Sequence, residues 1–296
     1  MRQFLKTWML PIAMLGGALF HDWIENIKFL TPLLIFLMLT VTYTRIKPQE
    51  FRITRFHWSL LLVQLIGCWI IYFALYYLNP IIAAGGFICV FISTATAAPV
   101  ITGMLGGSIS RIATYSFLSN LMVALFAPFF LTFINHGENI PFIESFQKIC
   151  SEVLPILILP IIVALILRYS FPKLHLAISN HQSISFYMWA IALFIVVGTA
   201  VSFILKQPIK SLSEMIGLGV VSLIACCLQF YIGRKVGVKY GDKIAGGQGL
   251  GQKNTILAIW LSLTYLNPII TIAPATYVAW QNTINSIQLY YKSKNK

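Results

Sequence analysis

The chain has 296 residues, of which 58% are hydrophobic and only 10% are charged, and its formal net charge is +13. A soluble globular domain carries about 25% charged residues, so this composition excludes a soluble protein. It predicts a single polytopic membrane domain, residues 1–296. Basic loops that face an anionic membrane leaflet account for the net charge, which therefore does not require a nucleic-acid partner.

Ten apolar segments are predicted to cross the membrane as α-helices, because about 20 apolar residues span the hydrocarbon of a bilayer. The fourth and the ninth contain proline or clustered glycines and are predicted to be broken. In chain order, the predicted segments comprise residues 7–23, 29–44, 58–78, 80–105, 112–135, 153–167, 184–205, 215–233, 244–266 and 268–291. The predicted fold class is an all-α membrane protein.

The lysine and arginine residues test this number of helices independently. With ten helices and both termini on one side, sixteen of these residues lie on that side, four lie on the other, and Lys253 lies within a helix. Since cytoplasmic loops carry an excess of lysine and arginine, this distribution predicts that both termini are cytoplasmic. We therefore expect a multi-pass protein of the plasma (inner) membrane, in contact with the lipid bilayer.

Catalytic and metal-binding patterns are missing from the sequence. It contains no H-E-x-x-H and no G-x-S-x-G, and no pair of carboxylates falls within the predicted helices, where an intramembrane protease or hydrolase needs such groups. The five cysteines lack the spacing of metal ligands. We predict that the protein is not an enzyme and uses no organic cofactor.

The chain divides into two halves of five predicted helices, residues 1–138 and 139–296. Because five is odd, the second half enters the membrane from the opposite side, which is the inverted-topology repeat of many secondary transporters. The broken fourth and ninth helices occupy matching places, and we predict that they cross in a core domain beside a panel domain. Breaks at matching positions indicate a binding site near the middle of the membrane.

Three residues are predicted to break these two helices. Pro99 in the fourth helix lacks an N–H group and clashes with the preceding turn. In the ninth helix, Gly249 and Gly251 belong to a glycine cluster that weakens helix continuity. The alternative interpretation is that these glycines allow neighbouring helices to pack closely.

Lys253 is predicted to be functional because a charge deep in a membrane is costly. It lies roughly ten residues into its helix, or about 15 Å, which is too deep for the side chain to reach headgroups easily. A position nearer the surface, with the ammonium at the headgroups, is the alternative. Amides rank above hydroxyls as further candidates, and Asn254 and Asn282 rank first. The other candidates are Gln64, Thr94, Thr96, Thr102, Ser116, Asn120, Gln248, Gln252, Thr255 and Gln281.

Two stretches near the C-terminal end match a known pattern. From residue 275 the chain reads ATYVAWQNTINSIQLYY, and from residue 251 it reads GQKNTILA. They resemble V-W-H-N-I-S-G-S-L-L and G-M-Q-N-S-G-L-A of the bile acid:sodium symporter family, with Gln281 in place of the histidine. The resemblance covers most of the chain and implies the same ten-helix layout with inverted repeats.

The resemblance also implies two sodium sites, but several of their ligand positions are changed here. The family's glutamate falls at Gly249, its glutamine at Lys253, and its Ser-Asn pair at Ala98 and Pro99. Hard cations prefer carboxylate and carbonyl oxygens, and an ammonium repels a cation by about 4 kcal/mol at 4 Å and an effective dielectric constant near 20. We therefore assign no metal site, and we hypothesise that Lys253 is a tethered cation in the place of sodium.

The resemblance places Gln64 and Ser116 near those sites and implies a secondary active transporter of an organic anion. Its substrates would be bile-acid-like molecules or small carboxylates, carried by alternating access. A passive facilitator or channel, which has lost ion coupling, is one alternative. A proton-coupled carrier is another, because a buried lysine can release its proton. The substrate, the coupling ion, the direction of transport and the oligomeric state stay open at this stage.

Overall fold

The structure is a computed structural model that describes residues 12–44, 52–95, 97–134, 142–180, 182–205 and 212–294. Within these ranges the secondary structure is helical. The helices are α1 (residues 12–19), α2 (His21–Ile24), α3 (Leu30–Thr44), α4 (Arg55–Tyr76), α5 (Pro80–Phe91), α6 (Ala98–Leu105), α7 (Ile109–Ile134), α8 (Phe142–Ser170), α9 (Pro172–Asn180), α10 (Gln182–Leu205), α11 (Leu212–Lys239), α12 (Lys243–Gly251), α13 (Thr255–Tyr265) and α14 (Ile272–Lys294). A 3-10 turn at Pro268–Thr271 precedes α14.

Several of these helices are apolar enough to lie in a membrane. Helices α4, α7, α11 and residues 149–170 of α8 are each long enough to cross one, and shorter apolar helices accompany them. On α4, large apolar side chains are exposed at Leu62, Ile66, Ile70 and Phe73. Their spacing places them on one face of the helix, and an exposed apolar face of this length is suited to lipid. The chain is therefore an integral membrane protein.

Most predicted segments agree with the observed helices to within a few residues. The largest difference is α8, which begins at Phe142 and not at residue 153. Its first turns carry polar residues such as Glu144, so hydropathy detects only the later, apolar part of the helix. Helix α9 was not predicted at all, because nine residues are too few to give a membrane-spanning signal. The start of the first predicted segment lies outside the described residues.

The helices pack in two groups. Helix α3 packs against α8 and α10, and α10 also packs against α2. The second group contains the interrupted helices, with α4 and α11 on either side of α5, and with α12 and α14 against α11. Helix α7 contacts both α4 and α8 and so lies between the groups. Rings of Trp69, Phe87 and Phe130 fill the space between α4, α5 and α7, with centroids 4.9–5.9 Å apart.

Helices α11 and α12 form a hairpin whose backbones touch. A side-chain carbon on Gly246 would collide with the backbone of Gly233 and Gly237, and one on Gly233 would collide with the backbone of Gly246. The turn between the helices contains Gly241 with φ +73°, a left-handed conformation that glycine adopts without strain. This close packing sets the position at which α12 ends.

Both interruptions lie beside the residues that were predicted to cause them. Pro99 lies in the first turn of α6, where N–H groups have no helical partner and a proline is tolerated. Gly249 and Gly251 lie inside α12. A side-chain carbon on Gly251 would collide with the ring of Phe230, so close packing explains this glycine. Among the described residues, the chain leaves the helical conformation at residues 92–95 and 252–254.

Candidate functional site

The two interruptions meet as a short antiparallel ladder inside the second group of helices. The N–H of Ala95 donates to the carbonyl of Gln252 over 3.0 Å, and the N–H of Asn254 donates to the carbonyl of Ser93 over 2.8 Å. Backbone groups outside a helix find no water in the hydrocarbon of a membrane, so each needs a partner inside the protein. The crossing of the two segments, hereafter the crossover, supplies these partners.

Thr94 and Lys253 face each other in the crossover, and each side chain reaches a carbonyl of the opposite segment. Thr94 Oγ1 donates to the carbonyl of Gly249 over 2.8 Å. Lys253 Nζ donates to the carbonyls of Val90 and Ile92 over 2.8 and 3.0 Å. Gly249 precedes Lys253 by four residues, and Val90 precedes Thr94 by four. These two contacts are therefore related by a local two-fold pseudo-symmetry.

The Lys253 side chain is only 1% exposed. Its ammonium lies at the C-terminal end of α5, where the carbonyl dipoles of a helix leave a partial negative charge. Among the described residues, no carboxylate forms an ion pair with it. The terminal carbonyls of α5, and not an acidic side chain, therefore balance this charge.

Two glutamines donate to the remaining open carbonyls of α5. Gln64 Nε2, from α4, donates to Phe91 and Ile92 over 2.6 and 2.9 Å. Gln229 Nε2, from α11, donates to Cys89 over 3.1 Å. A helix ends with four carbonyls that lack helical partners. Together with the lysine, these glutamines supply a donor to every carbonyl from residue 89 to residue 92.

A tyrosine accompanies the glutamine on each side of the crossover. Tyr115 OH donates to Gln64 Oε1 over 2.6 Å. Gln229 Nε2 donates to Tyr277 OH over 3.0 Å, and the hydroxyl of Tyr277 donates to the carbonyl of Gly251 over 2.9 Å. Both tyrosines are fully buried. A glutamine–tyrosine pair therefore lies on each side of the crossover, but both glutamines donate to the end of α5, and only Tyr277 also reaches the end of α12.

The helices that carry these tyrosines also hold the backbone of the ladder. The N–H of Thr94 donates to Ser119 Oγ over 3.3 Å, and the N–H of Lys253 donates to Gln281 Oε1 over 2.8 Å. Ser119 and Gln281 each follow the tyrosine of their helix by four residues, so each lies one turn further along the same face. Helices α7 and α14 thus present matching faces to the crossover.

The oxygens at the crossover do not fit a sodium ion. A side-chain carbon on Gly249 would lie 3.0 Å from the ring of Tyr115 and 3.2 Å from Leu60, so a carboxylate has no room there. The amide oxygen of Gln64 accepts hydrogen bonds from Tyr115 and from Ser119. The open carbonyls of α5 accept from amide and ammonium groups. Sodium needs several free oxygens, and these oxygens are already bound to N–H and O–H donors.

The structure brings some of the predicted site residues together at the crossover, namely Lys253, Thr94, Gln64 and Gln281, and the carbonyl of Gln252 belongs to its ladder. Asn254 is beside them, where its Oδ1 accepts from the N–H of Leu257 over 3.3 Å and caps α13. Within the described residues, no three His, Cys, Asp or Glu side chains gather as metal ligands.

The other predicted residues occupy different positions. Several are buried and have a side-chain atom without a hydrogen-bond partner: Thr102 Oγ1, Ser116 Oγ, Asn120 Oδ1, Gln248 Oε1 and Gln252 Oε1. Asn120 Nδ2 donates to the carbonyl of Ser116 in its own helix. Thr255 is buried at the start of α13, and Asn282 is half-buried on α14. Thr96 lies outside the described residues.

Four residues at the crossover were missed by the sequence-based list: Tyr115, Ser119, Gln229 and Tyr277. Gln229 did carry a usable signal, because it is an amide in the middle of an apolar helix and a buried amide needs a partner. Ser119 carried none, since serines in membrane helices commonly bond to their own helix. The tyrosines could not be told from the many other aromatic residues of the chain.

Comparison with known families identifies one match. The model of the sodium bile acid symporter family matches residues 31–207. The matched range begins in α3 and includes the first interruption, and it ends before the second interruption and Lys253. No curated protein matches the chain significantly.

Proposed function

The chain belongs to the sodium bile acid symporter family, and from that premise we propose that it is a secondary active transporter of an organic anion. The substrate would be a bile-acid-like molecule or a small carboxylate, moved by alternating access. We further propose that Lys253 acts as a tethered cation at the place where the family binds sodium. A family of symporters consists of transporters and not of enzymes.

The arrangement we propose is ten spans in two inverted repeats of five, with a core domain beside a panel domain. The paired contacts of Thr94 and Lys253 support it, because each reaches the carbonyl four residues before the other. The matching positions of Tyr115 and Tyr277 support it as well, because each pairs with a glutamine and lies four residues before a side chain that accepts from the ladder. Such pairing is expected where two halves of one chain are related by a pseudo-two-fold axis.

We propose that transport does not require sodium, and the observation that supports this is the contact of Lys253 Nζ with the carbonyls of Val90 and Ile92. A cation at this point stabilises the C-terminal end of α5 by its charge and by hydrogen bonds. A bound sodium ion would do so only while bound, whereas the lysine is always present. A second cation within about 4 Å of the ammonium would meet a repulsion of about 4 kcal/mol at an effective dielectric constant of 20.

The crossover moves as one body in this proposal. Its side-chain donors come from α4, α7, α11, α14 and Lys253, and the ladder joins the segments that follow α5 and α12. Helices α8 and α10 both pack against α3 and form the other group with it. Alternating access would be a movement of this group relative to the helices that carry the crossover.

The half-helices α6 and α13 indicate where an anion would be held. Both begin at the crossover, so their first N–H groups point toward the middle of the membrane. Helix N-termini attract anions through these groups and through the helix dipole. Asn254 and Thr255 lie at the start of α13, so their side chains would be the nearest to an anion bound at the N-terminus of this helix.

The test is uptake into proteoliposomes. Radiolabelled cholate and pyruvate serve as a bile acid and a small carboxylate, and protein-free liposomes are the control. We expect saturable uptake that is unchanged when external sodium is replaced by choline. A strong requirement for sodium would contradict the tethered-cation proposal.

The same assay separates the remaining alternatives. Uptake that does not saturate and never exceeds equilibrium would indicate a channel or passive facilitator. Accumulation that follows an imposed pH gradient, and that collapses with a proton ionophore, would indicate a proton-coupled carrier. No uptake of any carboxylate would contradict the proposed function.

A further inference from the structure

A second cluster of polar side chains lies one turn away from the crossover. Gln248 Nε2, on α12, donates to Asn285 Oδ1 over 2.9 Å and to Gln288 Oε1 over 3.2 Å, both on α14. Gln248 is 1% exposed and Asn285 is 3% exposed. Three amides therefore meet between two packed helices, where each buried polar atom needs a partner.

These amides do not satisfy one another. Gln248 uses both of its N–H groups, but its Oε1 has no partner. Asn285 Nδ2 and Gln288 Nε2 are also without partners, although all three atoms are buried from solvent. Buried polar atoms are almost always hydrogen-bonded in native proteins. The cluster consequently offers two amino donors and one carbonyl acceptor to a polar ligand.

The cluster belongs to a polar stripe that leads to the end of α14. Gln281, Asn285, Gln288 and Lys292 follow at spacings of four, three and four residues, so they share one face of the helix. Burial decreases along the stripe, because Gln281 and Asn285 are buried, Gln288 is half-buried and Lys292 is exposed. The stripe connects the crossover to the surface.

Helix α6 forms the opposite wall near the end of this stripe. Lys292 Nζ lies 3.4 Å from the point where a side-chain carbon on Gly106 would stand. Thr102 of the same helix is buried, and its Oγ1 has no partner. Helix α6 contacts both α12 and α14. The three helices therefore enclose the polar stripe on its way to Lys292.

The charge of this region selects an anion. Lys292 contributes an ammonium at the exposed end, and α12 begins at a single acid, Asp242. Both oxygens of Asp242 are engaged by backbone groups, Oδ1 by the N–H of Ala245 and Oδ2 by the N–H of Ser108, each over 2.9 Å. Within the described part of the chain, no ion pair joins this carboxylate to the ammonium of Lys292. Two amino donors and a nearby cation are the groups that bind a carboxylate.

We propose that Gln248, Asn285 and Gln288 form a second, inner binding site for the carboxylate group of the substrate, between the crossover and the Lys292 end of α14. The site rests on the proposed transport function and deepens it. It gives the anion a stopping point after it has left the half-helix N-termini, with Lys292 attracting it toward the surface.

Equilibrium dialysis of the purified protein tests this site without relying on transport. The probes are radiolabelled cholate and pyruvate, and the quantity measured is the number of molecules bound per chain. Asn285→Asp removes the unpartnered amino group and adds a negative charge, but it keeps the oxygen that accepts from Gln248. Ser286→Asp adds the same charge at the neighbouring, exposed position and is the matched control.

We expect wild type and Ser286→Asp to bind two molecules of one probe, and Asn285→Asp to bind one, with its second affinity lower by on the order of tenfold or more. If all three proteins bind one molecule equally, the inner site is refuted and the transporter remains. If Asn285→Asp binds two molecules as tightly as wild type does, the amides have only a structural role and the inner site is likewise refuted. If wild type binds neither probe, the proposed function fails, and the inner site fails with it.

Discussion

The two interruptions of this protein have similar backbone paths but are held by different means. The end of α5 receives side-chain donors from α4 and α11 and from the opposite interruption, which supplies the ammonium of Lys253. The end of α12 receives hydroxyl groups from Thr94 and Tyr277, and its backbone lies directly against that of α11. One half-helix is thus placed by charge and amides, and the other by close packing of glycines. Because of this difference, the only buried charge of the described crossover, the ammonium of Lys253, lies at the end of α5 and not at the end of α12.

The largest difference between the two half-helices is expected when one methyl group is added to each of them. Gly246→Ala places a carbon against the backbone of Gly233 and Gly237, which cannot rearrange. Gly86→Ala, the matched variant in α5, meets the side chains of Ile71, Val221 and Leu75 and no backbone atom among its nearest neighbours. We expect Gly246→Ala to destabilise the protein by about 3 kcal/mol or more, and Gly86→Ala by about 1 kcal/mol.

Thermal unfolding in detergent, followed by tryptophan fluorescence, measures both variants. The expected order is a far lower midpoint for Gly246→Ala than for Gly86→Ala. Equal midpoints would show that α12 is not placed by its backbone contact with α11, and the contrast between the two half-helices would be lost.

The second variant pair compares the two side chains that cross over. Lys253→Met removes the charge and the donor of Val90, whereas Thr94→Val removes one neutral hydrogen bond. We expect the initial rate of carboxylate uptake to fall on the order of a hundredfold for Lys253→Met and less than about fivefold for Thr94→Val. Lys243→Met, at an exposed lysine on the same helix as Gly249, is the control and should leave uptake unchanged.

Proteoliposome uptake at equal protein content measures this pair. A similar loss in Lys253→Met and Thr94→Val would mean that the geometry of the ladder matters and the charge does not. A fully active Lys253→Met would remove the tethered cation from the mechanism.

The glutamines test how much each supports the end of α5. Gln64→Leu leaves the carbonyl of Phe91 without a donor and deprives Tyr115 and Ser119 of their acceptor. Gln229→Leu affects fewer groups, namely the carbonyl of Cys89 and the hydroxyl of Tyr277. We expect losses in unfolding free energy of about 2–3 kcal/mol for the first and about 1 kcal/mol for the second, from unmatched buried polar groups. The midpoints of denaturation by heat, compared with wild type, check this order, and the reverse order would contradict it.

The smallest effects compare the two tyrosines. Tyr115→Phe removes a hydroxyl that donates one hydrogen bond, to the side chain of Gln64. Tyr277→Phe removes a hydroxyl that donates to the carbonyl of Gly251 and accepts from Gln229. We expect the unfolding free energy to fall by about 0.5 kcal/mol for Tyr115→Phe and by about 1 kcal/mol for Tyr277→Phe. Ser222→Ala, outside the crossover on α11, serves as a comparison for the loss of a buried hydroxyl. Equal losses for the two tyrosines would show that the additional contacts of Tyr277 do not stabilise the crossover.

Particular residues show what could be predicted from the sequence. Lys253 was identifiable because one charge in a long apolar segment stands out without any knowledge of its neighbours. The two interrupted helices were identified correctly, and the interruptions lie next to Pro99 and Gly251. Gln229 was missed although it is an amide in the middle of an apolar helix, but the carbonyl of Cys89 that it meets could only be found in the structure.

The sequence by itself determined that this is a membrane protein, which of its helices are interrupted and where its buried charge lies, because composition, hydropathy and charge are properties of neighbouring residues. Only the tertiary structure decided which groups that charge contacts. Lys253 meets Val90 across a sequence separation of 163 residues, and Tyr277 meets Gly251 across 26. In a medium without water, unpaired carbonyls and donors must find one another, and the partners available are set by how the helices pack.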